Sequence, residues 1–153
     1  MTTDSTTSQT MLGKPKLERV LVVISPDLVK PNAPRESTLL MRAVALAKAT
    51  GCELELFHVC DDPSFGMQFF TSKDEIRHAQ KQCVDRDATL IAEIALRLQS
   101  EGVTIHHDVR WDHPRTDAIL RKISKSQPDL VMKQSRDHSY VMGLIGNTDW
   151  GLI

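Results

Sequence analysis

The chain has almost no net charge to act with: 19 Lys and Arg stand against 20 Asp and Glu, a balance of −1 over 153 residues. That excludes binding of nucleic acid or another polyanion through bulk charge. No apolar run is long enough to cross a bilayer, so no membrane span is expected. The first residues, Met1–Thr10, are rich in Thr and Ser and lack the apolar segment of a signal peptide. Residues 1–16 are expected to form a disordered tail, and the default compartment is the cytoplasm. Cysteine is scarce. Cys52, Cys60 and Cys83 fit neither a disulfide framework nor a zinc pattern by spacing, and are expected to be buried free thiols, two in or beside a strand and one on a helix. Glycine is missing where it would matter most. The stretch Pro128–Arg136, running on to Gly143–Thr148, has the outline of a phosphate-cradling loop without most of the glycines such a loop uses.

What remains is an ordinary globular balance, 41% hydrophobic and 25% charged, enough for one domain with a real core. Arg19–Ile24 is almost continuously apolar and β-branched, as a strand buried on both faces of a parallel sheet would be. It stops at Ser25–Pro26–Asp27. Leu39, Leu40, Ala43, Val44 and Ala47 share one face of a helix from about Ser37 to Ala49, ended by Thr50–Gly51. Cys52–Val59 reads as a second strand. Ser72 and Glu75 form a capping box that opens a long helix to about Ser100, with Ile76, Ala79, Cys83, Ala88, Ile91, Ile94, Ala95 and Leu98 inward. Val103–Arg110 alternates as a third strand, and Thr116–Ser126 is a third helix with Ala118, Ile119 and Ile123 inward. Pro128 opens a fourth strand. The order β-α-β-α-β-α-β predicts a doubly wound, three-layer α/β/α parallel sheet in one domain, residues 17–153. In such folds ligands bind beyond the carboxyl ends of strands, near helix N-termini, so the end of the fourth strand is the expected place for a site.

The residues just named meet a family pattern. Val20–Ile24, Leu40 with Arg42–Val44 and Leu46, Val109–Trp111 with His113–Pro114, Asp129–Lys133, and Thr148–Asp149–Trp150 together resemble the universal stress protein family over about residues 17–153. The likeness is greatest to the first domain of the tandem, E-type bacterial proteins. The resemblance implies a Rossmann-like, adenine nucleotide alpha hydrolase-like fold and a role in the stress response. Nucleotide-binding members of that family carry G-2x-G-9x-G-(S/T) after strand four, in which glycines let backbone N–H groups close on phosphates. Laid on this chain, the glycine positions fall on Lys133, Arg136 and Gly146, and the Ser/Thr position on Asn147, with Thr148 next. The Asp that ends strand one in the family falls on Ser25, and Val59 takes the position that packs on adenine. One glycine of three is kept, so the resemblance implies a degenerate nucleotide site, with ATP as the alternative ligand and no cofactor otherwise. Family domains close with a fifth strand after the last helix. That strand is expected to be absent here, leaving strand four exposed along one edge. The implied partner is a second universal stress protein domain or a second copy of the chain.

Other constellations are weaker. His106 and His107 alternate to opposite faces of a strand and His113 sits in a loop, so they do not gather round one metal ion. Ser135, Asp137 and His138 are a local cluster rather than a triad, since triad members come from separated segments. Cys60 beside Asp61 and Asp62 is expected to have its thiolate disfavoured. No enzyme activity is expected. Three of the four phenylalanines fall in the connection 61–73, where Phe65, Met67, Phe69 and Phe70 form either a lid packed on the domain or its neighbour, or a pocket for an apolar ligand such as an acyl chain.

Overall fold

A computed structural model describes residues 16–30, 32–33, 37–61, 72–134 and 140–144. The elements are β1 (Arg19–Val23), α1 (Thr38–Thr50), β2 (Glu53–Cys60), α2 (Lys73–Gln99), β3 (Ile105–Trp111), α3 (Arg115–Ser126), β4 (Leu130–Gln134) and β5 (Tyr140–Leu144), with a 3-10 turn at Pro26–Val29 after β1. The sheet order is β3-β2-β1-β4-β5. β1 runs parallel to β2 and β4, and β2 parallel to β3.

The predicted winding follows from the residues. Every residue from Val20 to Ile24 is buried, because both faces of β1 are covered. Val20, Val22, Ile24, Leu54 and Leu56 face one way and pack with Leu39, Leu40 and Ala43 of α1 and Ile91, Ala95 and Leu98 of α2. Leu21, Val23, Phe57 and Val59 face the other way and pack with Ala118 and Ile119 of α3. Two successive right-handed crossovers put α1 and α2 on one side, and the reversal of direction from β3 to β4 puts α3 on the other. Each aliphatic side chain removed from water in this way contributes about 1.5–3 kcal/mol.

Three expectations are corrected. The segment after β4 is not a loop leading straight to a helix: Tyr140–Leu144 forms β5, antiparallel to β4, with Gly143 opposite Val131. The edge of β4 is therefore paired rather than exposed. Its free N–H and C=O groups find partners in a run containing Tyr140, Val141 and Met142, residue types that suit a strand. This strand directly follows β4 and is distinct from a parallel strand after a last helix. Second, the inner stripe of α2 is Cys83, Asp87, Ile91, Ala95 and Leu98, so the central buried place belongs to Asp87 and not to its neighbour Ala88, which is half-buried. Third, α3 starts at Arg115, one residue before the expected start.

Candidate functional site

The strand order reverses between β1 and β4, and a crevice opens beyond their carboxyl ends. β1 leaves the sheet at Ile24, and the Ser25 hydroxyl then accepts from the Asp27 N–H at 3.4 Å, capping the 3-10 turn. Asp27 is held in turn by Lys30 at 2.6 Å. On the other bank, β4 ends in register with β1, Val23 opposite Lys133. The N-terminus of α3 closes the third side. Its cap residue is Pro114, which offers no side-chain cap, so the first-turn N–H groups lack that partner. The Arg115 guanidinium donates to the Ile24 carbonyl at 2.5 Å, tying α3 to the end of β1. The result is a cleft of ≈ 760 Å³ with Ser25, Asp27, Asp61, Arg115, Thr116, Lys133 and Gln134 as its polar groups and Val23 and Ile119 as apolar floor. His113 holds Asp61 at 3.2 Å across the β2 and β3 ends.

A second cleft, of ≈ 600 Å³, lies on the α2 side of the β2 end. At its base is a buried polar group. His58, Cys60 and Asp87 are each no more than 3% exposed. His58 Nε2 lies 3.1 Å and Cys60 Sγ 3.2 Å from the same Asp87 oxygen, while Arg86 Nε donates to the other oxygen at 2.9 Å. Burial pushes the Asp87 carboxyl up, but hydrogen bonds from His58, Arg86 and Cys60 outweigh it and hold its pKa down to about 2. The Cys60 thiol is pushed far above the usual range, first by burial and then by the Asp87 carboxylate it donates to. The thiolate is disfavoured, as expected, with burial and Asp87 as the leading causes; Asp62 lies outside the described residues.

Of the expected site residues, Ser25 and Lys133 both line the first cleft. Val59 does not. It is 1% exposed, with the α3-side core around it, and borders the second cleft. Arg136, Gly146, Asn147 and Thr148 lie outside the described residues, as do the tail 1–15, the Ser135–Asp137–His138 cluster and Phe65, Met67, Phe69 and Phe70. All three cysteines are buried thiols outside any disulfide. His106 and His107 are exposed at the surface of β3, and His106 lies 3.6 Å from Glu53. Sequence reasoning missed Asp27, Asp61 and Arg115, which reach the cleft only through the positions of their loops. It also missed the His58–Cys60–Asp87 group. A signal for that group did exist: His58 and Cys60 are two apart on a strand, and Cys83 and Asp87 four apart on a helix.

Comparison with known proteins gives the same family. The sequence model of the Universal stress protein family matches residues 16–153. Universal stress protein E of Photorhabdus laumondii is 24% identical over 137 residues, covering 89% of this chain and 42% of that one. The Universal stress protein E homolog of Haemophilus influenzae is 23% identical over 143 residues, covering 90% and 44%. The chain thus spans less than half the length of these curated relatives. Among solved structures, a universal stress protein family member from Burkholderia pseudomallei superposes with a TM-score of 0.50 at 15% identity, covering 82% of this chain and 86% of that one. A family protein from Arabidopsis thaliana with AMP bound gives 0.50 at 16%, covering 78% and 77%. At such identities the likeness is one of fold.

Proposed function

Because the chain belongs to the universal stress protein family, we infer that it is a non-catalytic module of the stress response whose nucleotide cleft is degenerate and which acts through a companion domain or protein. One observation carries this reading: the two described cleft positions where the family pattern has an Asp and a glycine are Ser25 and Lys133. The Ser25 hydroxyl is short and already occupied in capping the turn. A lysine side chain at the end of β4 stands where a phosphate would approach bare backbone. The length of the relatives supports a companion, since each is more than twice as long as the stretch it shares with this chain. The companion is a second universal stress protein domain or a second copy.

The test is an NMR titration with AMP and ATP. We expect no saturable shifts at Ser25 or Lys133 up to ~1 mM nucleotide, about the weakest affinity such an experiment resolves. We also expect at least a ~10-fold gain in affinity, about 1.4 kcal/mol, for the double variant Ser25→Asp, Lys133→Gly. Micromolar binding by the unaltered chain would overturn the reading. It would favour the second one, a ligand sensor, for which the cleft itself speaks: Arg115 and the uncapped start of α3 both point positive potential at it. An apolar ligand such as an acyl chain at Phe65, Met67, Phe69 and Phe70 is the other form of that sensor. Uptake of a fluorescent fatty acid, weakened by Phe69→Asp, is the measurement that would support it.

A further inference from the structure

The buried polar group under the second cleft has no part in the reading above. Strand alternation turns His58 and Cys60 to the same side of β2. One helical turn of α2 places Cys83 and Asp87 on the face that meets them. One nitrogen, one sulfur and one carboxylate oxygen, from His58, Cys60 and Asp87, lie within 4.8 Å of one another. Two of the edges are 3.1 and 3.2 Å. Around a zinc ion with bonds of about 2.0–2.3 Å, tetrahedral edges are ~3.3–3.7 Å, so slightly longer Asp87 edges, with the His58–Cys60 edge within 4.8 Å, make one face of the polyhedron. Cys83 interacts with Cys60 from outside this group of three and lines the cleft above. We propose that His58, Cys60 and Asp87 are ligands of a tetrahedral divalent metal ion, zinc by preference, with Cys83 as the fourth donor.

The surroundings support this beyond the donor set. His58 Nδ1 faces the Ile24 carbonyl at 3.2 Å. With a metal bound, a proton on Nδ1 satisfies that contact, and Nε2, which otherwise donates to Asp87, presents its lone pair to the ion, the arrangement that orients metal-binding imidazoles. Charge also balances. A dication with two thiolates and one carboxylate carries −1, and Arg86 neutralises it, its Nε on Asp87 at 2.9 Å and its Nη2 3.5 Å from Cys83 Sγ. On binding, each of the two thiols gives one proton to solvent, the proton that His58 Nε2 donates to Asp87 moves to Nδ1 or to solvent, the Cys60–Asp87 and His58–Asp87 hydrogen bonds are replaced by metal bonds, and nothing is oxidised or reduced. Without a cation, burial and Asp87 oppose ionisation of Cys60; a dication between them reverses that effect. The ion has a route in, because His58, Cys83 and Asp87 all border the open cleft. Two thiolates and an imidazole in a four-fold site select zinc over calcium or magnesium. The Ile24 carbonyl, which takes both His58 and Arg115, also joins this site to the cleft at the strand switch.

The test is a cobalt(II) titration of the whole chain, reduced and stripped of metal with a chelator. The expected result is saturation at one equivalent, with a sulfur-to-cobalt charge-transfer band and the intense visible bands of a tetrahedral ion, both abolished by one equivalent of zinc. Cys60→Ser and Asp87→Asn should each weaken binding by ~100-fold or more, while Cys52→Ser, at the far end of β2, leaves spectrum and affinity unchanged. Absence of these bands in the unaltered chain overturns the proposal whether or not the variants fold. So does an identical spectrum and affinity in a folded Cys60→Ser chain.

Discussion

Asp129 shows what one carboxylate does in this fold. Its Oδ2 accepts from the backbone N–H groups of Glu18 at 2.9 Å and Arg19 at 2.8 Å, clamping the entry of β1 to the entry of β4. Those two bonds hold its pKa below the usual carboxylate value. A group depressed in the folded state contributes stability that is present above its unfolded pKa, about 3.9, and lost as the pH falls through its folded value. The Asp129→Asn variant should therefore unfold at lower urea concentration than the parent at neutral pH. The gap should stay constant down to about pH 5 and shrink below that. A gap independent of pH to the acid limit would show that the clamp does not depend on charge. Lys122 illustrates the opposite charge. It is 8% exposed on α3, between Glu55 at the short distance of 2.5 Å and Asp108 at 2.9 Å, with its Nζ 5.4 Å from the Phe57 ring. A lysine can be buried there only because two strands bring carboxylates to it.

Elements end where the backbone chemistry requires. Gly51 closes α1 at φ 75°, a left-handed conformation that glycine adopts without cost. α3 ends the same way, but with Gln127 at φ 43° and ψ 60°. A side chain in that region costs about 1–2 kcal/mol. We expect Gln127→Gly to stabilise the protein by ~1 kcal/mol in urea unfolding, some of the gain being offset by the freer unfolded chain. A loss of stability would mean that the Gln127 side chain makes a contact worth more than the strain. α2 begins with Ser72 accepting from the Glu75 N–H at 3.2 Å, the start expected from the capping pair. β5 was not expected as a strand, because its residues become one only by pairing with the free edge of β4.

The whole molecule is covered unevenly. Two helices pack on one face of the sheet, and among the described residues one packs on the other. Ile91 of α2 is fully buried in the larger cluster, whereas Ile119 of α3 is 8% exposed in the smaller. Ile91→Ala should cost about 3–5 kcal/mol and Ile119→Ala about 2–3, because the second site is closer to solvent and collapses more easily. Equal losses in urea unfolding would show the two faces to be packed alike. Among the described residues no helix is long and apolar enough to cross a membrane. The cleft at the strand switch belongs to this scale as well, since it exists only because the strand order reverses between β1 and β4, with α1 on one face and α3 on the other.

Local pattern determined the elements. The apolar run of β1, the periodic faces of α1 and α3 and the capping box of α2 each depend on residues close in the chain, so they were legible one segment at a time, and their alternation determined the parallel winding. Ser25 and Lys133, which the family pattern pointed to, line one cleft because strand ends in this winding converge. The tertiary structure alone decided the rest. Asp87 reads as a surface residue until α2 lays it against His58 and Cys60, 29 and 27 positions away. Arg115 reads as a loop residue until the β1 end comes within its reach, 91 positions away. β5 depended on an edge that no local window contains. The physical reason is the same in each case: burial and hydrogen bonding are satisfied by whatever the fold brings near, and sequence distance does not record that nearness.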